Sequence, residues 1–209
     1  IIKEESLDEL AKQIGKEKEV ARITNEAMNG HIDFKKALLE RVAILSGQPV
    51  EILEKLKKVI SINDGAFELI KTMKYNSSVT VLVSGGFTFL TEYLKILLGF
   101  DYTHANSLEI SHNNLSNMYL TGRVKDPILD QQAKAWYLDQ YVRKNKLNYE
   151  DTICVGDGAN DIEMIKKAGL GVSYNGKMTL DKEADIHFKN TNLLGLLYAQ
   201  GYSDKQIIS

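Results

Sequence analysis

The 209-residue chain is 44% hydrophobic, enough to bury a core in one large domain or in a domain with a modest insertion. Its 26 basic and 28 acidic residues nearly cancel, which argues against the clustered positive excess of a nucleic-acid binder. The single cysteine, Cys154, excludes an intrachain disulfide, and no apolar run approaches the roughly 20 residues of a membrane span.

Residues 6–61 read as helical throughout. "SLDE" has the form of a capping box, with Ser6 as N-cap and Glu9 three positions on. Leu7, Leu10, Ala11 and Ile14 then follow helical spacing up to Gly15. A second helix carries Val20, Ile23, Thr24 and Ala27 on one face, with Met28 beside them, and stops at Gly30. Asp33 caps a third, whose stripe is Phe34, Ala37, Leu38, then Arg41, then Leu45. A fourth covers residues 50–59.

The texture changes near residue 62. "VTVLV" (79–83) is short, apolar and β-branched, as a strand buried on both faces is. A helix over 87–98 follows, then two strands around the polar turn "SHNN". A helix over 128–144 has Ile128, Leu129, Trp136 and Val142 on its apolar face. "TICVG", a helix to Ala168 and the strand "LGVSY" come next, and short helices around "ADIHF" end the chain. Strand–helix alternation predicts an α/β fold, a Rossmann-like parallel sheet with helices on both faces. The expected division is a helical cap over 6–61 and an α/β core over 62–209 that also takes residues 1–5.

Several residues could carry chemistry. "VSGGF" ends a strand in a hydroxyl and two glycines just before a helix. That is either a tight turn or a phosphate cradle, with Ser84 as an added donor. Asp157 follows "TICVG", at the strand end where α/β ligands bind, and Asp161 lies one turn further. The pair is either a polar turn or a site for a hard cation such as Mg²⁺. Arg41 stands where its helix calls for a hydrophobe, so it either reaches water or faces an anion in a cleft. Glu5 and Lys134, taken alone, are a surface acid and a surface lysine. Cys154, between Ile153 and Val155, reads as a small buried hydrophobe.

Together, "VLVSGGF", the lysine of "QQAKAW" and "VGDGANDIEMIKKAGLGV" resemble the haloacid dehalogenase superfamily of phosphatases. With "KEESLDELA" and "ITNEAMNGHIDFKKALLERVAIL", the resemblance extends over nearly the whole chain to the phosphoserine phosphatases and includes their small helical cap. It implies an HAD-like core and Mg²⁺-dependent hydrolysis of O-phosphoserine through an aspartyl-phosphate, the last step of serine biosynthesis. It also implies roles. Asp157 is a metal ligand and Asp161 orients that shell. Ser84, the Gly85 backbone, Lys134 and Asn160 hold the phosphate. Glu5 takes the substrate ammonium and Arg41 its carboxylate, while Met28 and Phe34 close the cap. A cytoplasmic location is expected, with no nucleic acid or membrane partner.

One departure is large. The family's first motif is a strand ending in Asp-x-Asp, which supplies the nucleophile, and the 209 residues contain no Asp-x-Asp. That first central strand is expected upstream of Ile1, so the chain alone is expected to lack turnover. Two alternatives are a phosphatase or phosphotransferase for another small phosphomonoester, and a nucleophile-less binding or regulatory domain.

Overall fold

The computed structural model describes residues 1–28, 31–112 and 117–208, apart from the side chains of Met28 and Gln131. Four helices come first: α1 (Ser6–Gln13), α2 (Glu17–Met28), α3 (Phe34–Ala43) and α4 (Glu51–Val59). Their apolar stripes turn inward as the spacing requires: Leu10, Val20, Leu38 and Leu56 are all at most 1% exposed. Asp33 caps α3 as expected, its side chain accepting from Lys36 N–H at 2.8 Å. Ser6 does not cap α1. The backbone is extended at Glu5, which is the N-cap and makes no side-chain cap bond, so Ser6 takes the first helical position. The predicted stop at Gly30 lies outside the described residues.

Next come α5 (Ala66–Tyr75), β1 (Val81–Phe87), α6 (Thr88–Leu98), β2 (Tyr102–His112) and β3 (Met118–Lys125). β1 pairs parallel to β2, and β2 pairs antiparallel to β3. The expected hairpin is therefore present as a ladder. Ser111 and His112 of the expected turn belong to β2, and Asn113 and Asn114 lie outside the described residues. The loop after α3 bonds to this hairpin: Gly47 N–H donates to the Leu120 carbonyl, and Leu120 N–H to the Gln48 carbonyl, both at 2.8 Å. Leu108 and Leu120 pack in one cluster with Leu7, Leu38 and Leu53. Residues 1–128 thus form one compact unit.

Residues 129–209 form a second unit. It holds α7 (Gln131–Asn145), β4 (Ile153–Gly156), α8 (Ile162–Lys167), β5 (Leu170–Tyr174), α9 (Met178–Asp181), β6 (Ile186–Phe188) and α10 (Gly195–Ala199). Its sheet is parallel in the order β4-β5-β6, and Cys154, Ile165 and Leu180 form a small core beside it. The α/β expectation holds, with parallel pairing in both three-stranded sheets and β3 as the antiparallel member.

Two boundaries move for physical reasons. The helix expected from 128 starts at Gln131, because Asp130 caps it by accepting from Gln132 and Ala133 N–H at 2.9 and 3.1 Å. Ile128 and Leu129 precede the helix; Leu129 and Val142 are buried as expected, but Trp136, counted from Leu129, falls off the buried face. Trp136 is 54% exposed as a result, while Lys134 and Ala135 are buried. The strand expected over 79–83 runs over 81–87, straight through Ser84, Gly85 and Gly86.

Candidate active site

In the first unit, the Ser-Gly-Gly stretch is a strand bulge rather than the mouth of a helix. Val83 is in register with His104 and Phe87 with Asn106, so four steps along β1 oppose two along β2. The surplus residues must leave the ladder, and glycine tolerates that detour. Two contacts fix its shape. Asn106, 1% exposed, donates from Nδ2 to the Gly85 carbonyl at 2.9 Å. The Ser84 hydroxyl accepts from Gly86 N–H at 3.0 Å. α6 begins only at Thr88, beyond the bulge.

Phe34, the first residue of α3, reaches this bulge. A Cβ added to Gly85 would stand 3.3 Å from Phe34 Cζ. The ring therefore lies against the Gly85 backbone, an approach that the missing side chain permits. Ser6 comes near the same stretch, its Oγ 3.6 Å from the place of a Gly86 Cβ. That position explains a hydroxyl on the buried side of α1.

Arg41 is half-buried, and its Nε donates to the Ala37 carbonyl at 3.3 Å. Burial pulls its guanidinium below the ordinary value, and the negative charges of Asp8 and Glu5 oppose that shift. The first unit therefore brings Glu5 and Arg41 into one electrostatic neighbourhood. The Met28 side chain lies outside the described residues.

In the second unit, Asp161 and Asp157 have different surroundings. Asp161 is 2% exposed. Its Oδ1 is 2.5 Å from Lys134 Nζ, and its Oδ2 accepts from Asp157 and Gly158 N–H at 3.0 and 3.2 Å. Asp157 is exposed, and among the described residues its carboxylate takes no hydrogen bond or ion pair. Its backbone is tethered at both ends, by the N–H to Asp161 and by the carbonyl, which accepts from Lys177 N–H at 2.9 Å. Asn160 Oδ1 lies 2.8 Å from the place of a Gly158 Cβ, so that glycine makes room for the amide.

The division of labour is chemical. A carboxylate saturated by an ammonium and two N–H groups serves as an anchor. A rigidly held carboxylate with open lone pairs fits a hard cation. No group of three or more His, Cys, Asp or Glu able to hold a metal occurs among the described residues. The donor set there is thus one oxygen ligand with a prepared support, which is compatible with Mg²⁺ and its preference for few carboxylates.

Reading Lys134 alone as a surface lysine is wrong, since it is 8% exposed and paired. Cys154 is the inert buried thiol expected, pushed up to about 12 by burial, with the Asp161 charge adding to the shift. Asn106 was missed altogether. A polar residue in the middle of an otherwise ordinary strand segment was its only signal. No helix of the described residues is long and apolar enough to cross a membrane.

The family model of the haloacid dehalogenase-like hydrolases matches residues 1–166. A phosphoserine phosphatase of Archaeoglobus fulgidus is 43% identical over 94% of the chain, which spans 56% of that protein. One of Methanocaldococcus jannaschii is 40% identical over 94% of the chain and 91% of its own length. A solved structure described as a phospho-aspartyl intermediate analogue of phosphoserine phosphatase superposes with a TM-score of 0.85 at 39% identity, covering 95% of this chain and 92% of that one. The chain belongs to the haloacid dehalogenase-like hydrolases and is a homologue of their phosphoserine phosphatases, which are phosphomonoester hydrolases.

Proposed function

We propose that the chain serves the Mg²⁺-dependent hydrolysis of O-phospho-L-serine to serine and inorganic phosphate in the cytoplasm. The observation that carries this reading is the contrast between the open Asp157 carboxylate and the saturated Asp161 carboxylate beside it. Asp157 holds the cation, and Asp161 holds Asp157. When bound, Mg²⁺ neutralises charge on the phosphoryl oxygens.

The remaining roles are those that the family resemblance implies. Lys134 carries three donors and gives one to Asp161, which leaves two for phosphate oxygens. Asn160 adds an amide, and Ser84 with the Gly85 backbone offers donors from the bulge. Glu5 takes the substrate ammonium and Arg41 its carboxylate, for which a planar fork is suited. Phe34, whose ring lies against the Gly85 backbone, covers the ligand at the bulge and keeps water from it. The scheme runs through an aspartyl-phosphate on the first residue of an Asp-x-Asp pair. The 209 residues contain no such pair, and their part is to bind, orient and neutralise.

The test is calorimetric binding of O-phospho-L-serine, phosphoethanolamine and phospholactate to the 209-residue chain in the presence of Mg²⁺. Phosphoserine should bind most tightly. Equal affinities for the ligands lacking the carboxylate or the ammonium would remove phosphoserine from the reading.

A further inference from the structure

Asp157 is tethered from two sides, and the second tether has its own support. Lys177 N–H, which binds the Asp157 carbonyl, belongs to the turn Asn175–Lys177 after β5. That turn is held by polar contacts. Asn175 adopts φ +49°, its N–H donates to the Phe188 carbonyl at 2.8 Å, and its side-chain oxygen accepts from Asn190 N–H at 3.0 Å. Gly176 lies pressed between strand and site. A Cβ there would overlap Ser173 Oγ and come within 3.2 Å of the Asp157 carbonyl oxygen.

Three side chains hold Gly176 in that position. Ser173 on β5 is fully buried, and its hydroxyl donates to Asp181 Oδ1 at 2.6 Å. The other oxygen of Asp181, at the end of α9, takes Lys189 Nζ at 2.8 Å. Lys189 also donates to the Gly176 carbonyl. A charged chain therefore runs from the inside of the sheet, through Ser173, Asp181 and Lys189, to the turn that bonds Asp157.

We propose that Ser173, Asp181 and Lys189 are positioning residues for the Asp157 carboxylate, acting on divalent-cation affinity through the 175–177 turn. This rests on the reading of Asp157 as a cation ligand. The energetics separate it from a purely structural role. The Asp181 and Lys189 side chains are 20% and 41% exposed, and a pair so placed contributes little to global stability. Outer partners of a metal ligand nevertheless change affinity strongly, by about 10- to 100-fold when they touch the ligand directly. This chain acts one bond further out, so a smaller factor, about three- to tenfold, is expected.

The experiment compares Lys189→Met, Lys189→Arg, Asp181→Asn and Asp157→Asn with the parent. Mn²⁺ binding is followed by electron paramagnetic resonance with Mg²⁺ competition, and amide exchange is read at Lys177. Lys189→Met and Asp181→Asn should weaken both cations about three- to tenfold and speed Lys177 exchange, with a nearly unchanged melting temperature. Lys189→Arg should restore most of the affinity. Parent-like affinity and exchange in Lys189→Met and Asp181→Asn, alongside lost binding in Asp157→Asn, would overturn the brace alone. Intact cation binding in Asp157→Asn would instead overturn the ligand reading beneath it. Should Lys189→Met fail to fold, Asp181→Asn carries the same comparison.

Discussion

Lys134 Nζ lies 2.5 Å from Asp161 Oδ1, with only 10% and 3% of the two side chains exposed. Removing one member of such a pair strands the other charge away from water, at a cost of about 3–5 kcal/mol. Lys134→Ala and Asp161→Ala should each lose stability on that scale in urea unfolding. The double variant should lose clearly less than the sum, because no stranded charge remains. Additive losses would show that the two side chains do not act together.

Gly156 offers a sharper contrast with Gly85. A Cβ at Gly156 would come within 2.5 Å of Asp161 Cγ and 2.7 Å of its Oδ2, both parts of the anchored carboxylate. Gly156→Ala should therefore destabilise by at least about 2 kcal/mol and disturb the Asp157 loop. A Cβ at Gly85 meets only the Phe34 ring at 3.3 Å, and Phe34 is 37% exposed and free to yield. Gly85→Ala should change stability by less than about 0.5 kcal/mol while raising the Kd for phosphoserine. Thermal unfolding and calorimetric binding measure the two effects.

Asn106 shapes the bulge from below. Without its amide the partly buried Gly85 carbonyl loses a donor, a loss of about 1–3 kcal/mol. Asn106→Ala should approach that figure in denaturant unfolding and raise the Kd for phosphoserine severalfold. Asn106→Asp should be worse, because it sets a carboxylate against a carbonyl oxygen. An unchanged Kd in both would confine Asn106 to stability.

Arg41 is the test of substrate chemistry. Hydrogen bonds to a charged group contribute about 1.5–3 kcal/mol, equivalent to about 10- to 100-fold in affinity. Arg41→Ala should raise the calorimetric Kd for O-phospho-L-serine by that factor and leave phosphoethanolamine, which lacks the carboxylate, nearly untouched. A uniform loss on both would place Arg41 in the packing of the helical segment rather than in recognition.

What was legible in the sequence was whatever local chemistry dictates. The apolar runs of "TICVG" and "LGVSY" became β4 and β5, and Asp33 capped α3. The open and saturated aspartates lie in one short glycine-rich stretch, which is why they stood out. Residues whose meaning comes from a distant partner were not legible. Lys134 reads as a surface lysine until Asp161, 27 positions away, is brought to it. Asn106 acquires its role only from a register skip on another strand. Trp136 was misplaced because it was counted from Leu129, which precedes the helix that Asp130 caps.

Asp101 ties the start of β2 to the approach to β1, and it predicts a pH dependence. Burial alone would raise its carboxyl. Hydrogen bonds from the Thr80 N–H and hydroxyl, each 2.8 Å, and the Lys74 ammonium at 3.0 Å outweigh that and hold it below the ordinary value. A carboxyl depressed by folding contributes stability that is complete above its unfolded pKa of about 3.9 and is lost as pH falls through the folded value. Urea unfolding of the parent and Asp101→Asn should differ most above about pH 5 and converge in stronger acid, once the parent carboxyl is protonated. A difference that stays constant across that range would mean that the Asp101 charge is not what secures the two strands.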